Sequence, residues 1–214
     1  EYLINFENGI QVIAEPIYCG DEQNITVALS QNSNGWVNIA VNNKTYEIKL
    51  NDSSLLNFQV PDELLPGIYF VQVNLTDKDN HYYGSMNVNW NISKINHKLI
   101  VSTPADARID DEKIEIMINL PKDATGNISV FANNKNLTQK VHGGDILIDV
   151  SSLLKIGDND ILINYSGNNR YSSQVNYENV HVDKIFPNMQ VKYSALTPLT
   201  PSEAITPLTP KKRI

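Results

Sequence analysis

The chain has 214 residues, 41% hydrophobic and 19% charged, enough apolar material for one large domain or for two cores of about 100 residues each. Its net charge of −7 is scattered along the sequence, and without a basic stripe there is no electrostatic footprint for nucleic acid. One cysteine, Cys19, excludes an intramolecular disulfide, and no run approaches the roughly 18 to 20 apolar residues of a membrane span.

Residues 1–8 read either as a first strand or as the end of a preceding segment. Period-two alternation then dominates: Ile25, Val27, Leu29; Val37, Ile39, Val41; Tyr46, Ile48, Leu50; Tyr69, Val71, Val73, Leu75. Each run is the pattern of a half-buried strand, and no helical stripe competes with it. Trp90 alternates with Met86, Val88 and Ile92 and is expected in a core. Turn formers separate the runs, namely Asn42-Asn43, Pro66-Gly67, Asp77-Lys78-Asp79-Asn80, Gly143-Gly144 and Gly167-Asn168-Asn169, at the spacing of an antiparallel sandwich.

The second half echoes the first. Residues 35–44, Gly-Trp-Val-Asn-Ile-Ala-Val-Asn-Asn-Lys, return at 126–135 as Gly-Asn-Ile-Ser-Val-Phe-Ala-Asn-Asn-Lys. Leu64-Leu65 with Gly67 is followed by Leu153-Leu154 with Gly157, and Lys94 by Lys184. A period this long is one sandwich per repeat rather than a solenoid turn. The expected fold is therefore all-β: two tandem immunoglobulin-like antiparallel β-sandwiches, 1–94 and 97–184, followed by an extended Thr/Pro-rich tail at 185–214. The joint Lys94-Ile95-Asn96-His97 is short enough to restrict bending. In the tail, Leu-Thr-Pro stands at 196–198, 199–201 and 208–210, the composition of a polyproline II spacer or an O-glycosylated stalk, and equally of an interdomain linker or a cloning addition.

Tyr165-Ser166-Gly167-Asn168-Asn169-Arg170-Tyr171-Ser172-Ser173 resembles the closing hairpin, Tyr-x-Gly-Asp/Asn-x-x-Tyr-x-x-Ser, of Ig-like repeats in large prokaryotic surface proteins. It looks similar to methanogen adhesin-like proteins in particular. The Gly-led strand ending in Asn-Asn-Lys and the segment Pro66-Gly67-Ile68-Tyr69 extend the resemblance over most of residues 20–184. The first half departs from it with Leu75-Thr76-Asp77 in place of Tyr-x-Gly, and the second with Gly157-Asp158-Asn159-Asp160 in place of Pro-Gly-x-Tyr. The resemblance implies a surface location and a fold, and it carries over no catalytic residue. The sparing use of cysteine fits bacterial or archaeal surface chains.

Candidate sites are few. Cys19 lacks the strained turn and oxyanion motif of a nucleophile, and His81, His97, His142 and His181 are spread without ligand spacing. Asp106, Asp110, Asp111 and Glu112 are the best oxygen-rich set for Ca²⁺, near the joint, with Asp77/Asp79 and Asp158/Asp160 behind them. No paired carboxylates stand out for glycoside hydrolysis. Trp36, Tyr82 and Tyr83 are the aromatics that sugar rings would need exposed, and Lys98 is the one strand lysine suited to a Lys–Asn isopeptide crosslink. Asn-x-Ser/Thr acceptors begin at Asn24, Asn43, Asn51, Asn74, Asn91, Asn127, Asn136 and Asn164. The expectation is a non-catalytic extracellular structural or adhesive module at a cell surface or wall, partnered by other surface proteins, glycans or its own copies, with neither nucleic-acid binding nor membrane insertion. The rival readings are a carbohydrate-binding accessory module of a secreted hydrolase and an S-layer or filament subunit.

Overall fold

A computed structural model describes residues 9–76 and 82–185. Residues 1–8, the Asp77, Asp79 and His81 loop, and the tail beyond Ile185 lie outside the described residues. The chain divides into a compact unit ending at Lys184 and a second unit beginning at Ile185.

Among the described residues, eight strands make up the first half of the compact unit: β1 (Ile10–Ile13), β2 (Ile17–Tyr18), β3 (Asn24–Ser33), β4 (Trp36–Val41), β5 (Lys44–Lys49), β6 (Ser53–Gln59), β7 (Gly67–Thr76) and β8 (Tyr82–Ser93). They form a three-stranded sheet, β1-β3-β6, and a five-stranded sheet, β2-β8-β7-β4-β5. The alternating set turns inward as the sequence requires: Val37, Ile39, Val41, Val71 and Val73 are buried with Trp90. The Trp90 indole Nε1–H donates to the Glu15 carbonyl at 2.7 Å, so its one polar group is satisfied inside the core.

The second half contains β9 (Ile100–Ser102), β10 (Ala107–Arg108), β11 (Glu115–Ala132), β12 (Lys135–Asp149), β13 (Gly157–Tyr165) and β14 (Gln174–Asp183), with one short 3₁₀ turn, Ser151–Leu153. The order β10-β14-β13-β11-β12, with β9 on β11, repeats that of the first half. Here two long strands serve both layers. The start of β11 pairs with the end of β12, and after a register shift between Leu120 and Thr125 its remainder, Thr125 to Ala132, pairs with His142 to Lys135. In the first half the same stretches are cut into β3/β4 and β5/β6, and at the break Asn34 Oδ1 accepts the Asp52 N–H at 2.8 Å and Asp52 adopts φ 47°. The long pair crosses at Gly143, where a Cβ would stand 1.8 Å from the Pro121 carbonyl oxygen. Only glycine permits that approach.

Both β4–β5 and β11–β12 close through two-residue turns. Asn42 and Asn43 have φ of 48° and 61°, and Asn133 and Asn134 have 50° and 61°. Two consecutive positive φ values define the type I′ hairpin, and asparagine tolerates them better than other side-chain-bearing residues. Each half thus encloses its own core, Ile116, Ile118, Ile128 and Val130 lying in the second. Together they are two tandem immunoglobulin-like sandwiches.

The departure at Gly157-Asp158-Asn159-Asp160 has a physical reason. In the first sandwich Tyr69 reaches back and donates its hydroxyl to the Leu65 carbonyl at 2.8 Å. In the second, Asn159 stands at the equivalent place and is 1% exposed. Its amide accepts from Lys155 N at 2.9 Å and from Asn133 Nδ2 at 2.6 Å, and donates to the carbonyls of Lys155, Gly157 and Val180 at 2.8, 2.8 and 3.1 Å. Both side chains pin the loop entering their strand, β7 or β13, one by a phenol and one by a buried amide. Because removal of Asn159 strands several buried polar groups at once, Asn159→Ala should lower unfolding free energy by about 3 kcal/mol. Tyr69→Phe, which loses one exposed-side bond, should lower it by about 1 kcal/mol. Urea unfolding of the two variants checks the ranking.

Candidate functional site

The joint is where the two sandwiches meet, and it is built by the main chain first. Ile95 N donates to the Arg170 carbonyl at 2.8 Å and Ser172 N donates to the Ile95 carbonyl at 3.0 Å, a parallel bridge between Ile95 and Tyr171. The Ile95 side chain packs against both cores, with Ile92 and Leu99 buried on either side of it. The loop that receives it, between β13 and β14, is held in shape by Asn168, whose Oδ1 accepts from both Arg170 N and Tyr171 N at 2.8 Å. Gly167 makes the bend at φ 70°, and a Cβ there would fall 2.7 Å from Tyr171 O and from Ser173 N.

Charge then fastens the joint. Arg170 Nη2 lies 2.9 Å from Glu63 Oε1 of the first sandwich, and its Nε is 3.5 Å from Asp123 Oδ2 of the second; the latter is an ion pair whose geometry falls short of a hydrogen bond. The Tyr171 hydroxyl donates to Asp123 Oδ1 at 2.6 Å, Lys94 Nζ donates to the Asn168 carbonyl at 2.5 Å, and Gln174 Nε2 donates to Asn96 Oδ1 at 2.5 Å. The Arg170 side chain is 28% exposed while Glu63 and Asp123 are about half exposed, so each pair contributes well under a buried ion pair. The hydrogen bond from Tyr171 holds the Asp123 carboxyl below its usual range, and burial together with the bond to Asp123 pushes the Tyr171 phenol up to about 12.

Cys19 sits at the edge of this cluster, 3% exposed, with Sγ 4.0 Å from Glu63 Oε1. Burial pushes its thiol up, against the pull of Arg170, which keeps it protonated and poorly nucleophilic. His97 stacks edge-on to Tyr171 with ring centres 6.5 Å apart. His142 is exposed, and His181 is paired with Asp158 at 2.6 Å and Asp183 at 3.6 Å.

The structure spreads the calcium candidates over a surface loop. Asp106, Asp110, Asp111 and Glu112 are exposed, and among the described residues no three or more His, Cys, Asp or Glu side chains gather as metal ligands. Asp111 Oδ2 instead accepts the Arg108 N–H at 2.7 Å and Asp110 pairs with the Arg108 guanidinium at 3.3 Å. Asp21 makes the same turn in the first sandwich by accepting from Tyr18 N at 2.9 Å, so the acid is a turn former repeated in both halves. The acidic loop also lies away from the joint. Its β10 pairs with Val182 and Asp183 at the end of β14, whereas the joint residues precede the start of that strand, and ten residues of strand span about 30 Å.

Trp36 is half-buried with Lys49 Nζ 5.8 Å from its ring centre, so a cation already occupies that face. The side chains of Tyr82 and Tyr83 lie outside the described residues. Lys98 is exposed, without the shielded setting a crosslinking amine needs. Seven of the glycan acceptors, Asn24, Asn43, Asn51, Asn91, Asn127, Asn136 and Asn164, are exposed and Asn74 is half-buried. Arg170, Glu63 and Asp123 carried no sequence signal of their own; Arg170 lies inside the hairpin motif at a position the motif leaves open.

No protein-family profile and no curated protein matches the chain. Among solved structures it is similar to a tetra-tandem repeat from the extending region of a large adhesion protein, at 15% identity and TM-score 0.47, over 81% of this chain and 49% of that one. It is also similar to part of a 1.5-MDa bacterial ice-binding adhesin, at 15% identity and TM-score 0.33, over 82% and 65%. A third match is to fibronectin(III)-like modules of Clostridium thermocellum CbhA, at 10% identity and TM-score 0.32, over 86% and 99%. The chain thus spans about half to two thirds of the first two.

Tyr171 and Asp123 give the joint a pH response. A phenol raised from 10 to about 12 contributes stability that is full below pH 10 and lost as pH rises through 12; a carboxyl held low contributes stability that is full above pH 3.8 and lost as pH falls through its folded value. These two groups should therefore make the melting midpoint fall as pH rises above 10 and as it drops below 3.8. Tyr171→Phe should flatten the alkaline fall, and an unchanged alkaline limb would refute the assignment.

Proposed function

We propose that this chain is a non-catalytic structural segment of a cell-surface protein, in which tandem sandwiches act as a spacer that transmits force and orientation between what lies on either side. The observation that carries the reading is the joint: one linker residue, Ile95, belongs to both cores and is paired by main-chain hydrogen bonds to the next sandwich. A flexible connection would need none of this, and the Arg170 bridge to Glu63 adds an orientation-dependent contact. Repetition of one topology across the joint, and the resemblance of the 165–173 hairpin to prokaryotic adhesin repeats, support an extracellular setting, with archaeal surface proteins as one analogy. Partners of this kind are other surface proteins, glycans or further copies, and the exposed asparagine acceptors fit a glycoprotein. Among the described residues no helix is long and apolar enough to cross a membrane.

Single-molecule pulling from the two termini tests the reading. Two successive unfolding events, with the joint yielding only together with one of them, are expected. Early low-force extension of the joint, before either sandwich opens, would contradict a force-transmitting role. Arg170→Ala should lower the stability of the joined pair by about 1 kcal/mol while leaving each sandwich folded. Purified protein should also turn over no glycoside, ester or peptide substrate; turnover abolished by one carboxylate substitution would overturn the non-catalytic assignment.

A further inference from the structure

Six of the eight asparagine acceptors lie in strands, and three of those stand directly across from an exposed apolar side chain. Asn91 faces Ile68, which is 75% exposed; Asn136 faces Phe131, 40% exposed; and Asn164 faces Val175, 52% exposed. Opposed residues of neighbouring antiparallel strands share a face with Cβ atoms about 5 Å apart. A group attached to the asparagine amide therefore starts within contact distance of the apolar side chain.

The Asn136 case is the most developed. Asn136 lies on β12, the edge strand, and from it a row runs inward across the sheet as Phe131, Leu162 and Tyr177, each directly opposite the next. Neighbouring strands are about 4.8 Å apart, so the row from Phe131 to Tyr177 extends about 10 Å. Phe131 separates two shallow grooves: one of about 630 Å³ is lined by Phe131 and Asn136, and one of about 520 Å³ by Phe131, Leu162 and Tyr177.

The first sandwich supplies an internal comparison. Counting back from the Asn-Asn turns, Phe131 and Asn136 correspond to Ala40 and Thr45, which are likewise opposed, and the row continues as Gln72 and Asn87. The acceptor and the apolar row are absent there together. The reverse holds for Asn91 and Ile68, whose counterparts His181 and Asp158 form an ion pair.

We propose that Asn136 carries an N-linked saccharide whose first ring lies on Phe131, and that saccharides on Asn164 and Asn91 cover Val175 and Ile68 in the same way. The proposal rests on the surface reading above. In the transfer, Asn136 Nδ2 bonds to C1 of a saccharide linked to a polyprenyl phosphate. The C1–O bond breaks, the lipid phosphate leaves with its electron pair, and the amide proton passes to a base of the transferring enzyme. The carbon-bound hydrogens of a pyranose face then bury aromatic surface that is otherwise wet. Asn24, which faces Gln59 and donates to Glu22, has no such platform and serves as the control.

The test is a double-mutant cycle on the whole chain secreted from a eukaryotic host, with occupancy mapped by glycopeptide mass spectrometry. Asn136→Gln should lower the melting midpoint of the glycosylated chain by about 2 °C, and by less than half as much when Phe131→Ala is already present. Asn24→Gln should show no dependence on Phe131, and unglycosylated chain made in bacteria should show no loss with Asn136→Gln. Equal losses in both Phe131 backgrounds, the same loss in unglycosylated chain, or an unoccupied Asn136 beside occupied neighbours would each overturn the proposal. So would a dimer of unglycosylated chain that Phe131→Ala abolishes, since it gives the row to a second copy. The cycle reads contact between sugar and ring wherever the protein resides; the surface reading instead fails if fractionation of source cells finds the chain in the cytoplasm.

Discussion

The structure depends on one constraint, the pairing of Ile95 with the loop that closes the second sandwich. A residue in a four-residue connection has ordinarily no reason to be ordered, because fixing its backbone costs roughly 1–2 kcal/mol of conformational entropy. Ile95 offsets that cost three ways: two main-chain hydrogen bonds to Arg170 and Ser172, apolar contact with both cores, and a receiving loop shaped beforehand by Gly167 and Asn168. The ion pairs of Arg170 come after this. Being partly exposed, they select an orientation more than they add stability.

The two sandwiches show how one set of constraints is met with different side chains. The loop entering β7 is fixed by the Tyr69 phenol, and the loop entering β13 by the Asn159 amide. The exchange is not neutral in character: Asn159 must satisfy all its hydrogen bonds in a buried place, so it tolerates less change than a phenol at the surface. The layer-crossing strands are cut in one sandwich and continuous in the other, and the continuous version needs a glycine where the backbones touch. By contrast the Asp21 and Asp111 turns are the same in both.

Most of the fold was legible because sandwiches are written in short-range terms. Alternation placed Val37, Ile39, Ile128 and Val130 inside, and the repeated Asn-Asn pairs marked hairpins whose positive φ values are a local property of two residues. The joint was only half legible. Its length pointed to restricted bending, yet its chemistry depends on Glu63, Asp123 and Arg170, three residues remote in sequence that no spacing rule links. The acidic stretch 106–112 shows the complementary limit: its carboxylates cluster in sequence, while in space Asp110 and Asp111 engage Arg108 and Asp106 and Glu112 are exposed, at the far end of the sandwich from the joint. Pattern reports which face a side chain takes; it does not report which remote partner waits there.

The central claim, that the joint is an ordered part of the fold, is tested most directly by native-state hydrogen exchange at two amides. Ile95 N–H and Ser172 N–H should exchange only with opening of a sandwich, showing protection within about tenfold of core amides such as Val130. Exchange of both at the rate of an unstructured linker, while Val130 stays protected, would show two independent sandwiches on a flexible tether and would contradict the account.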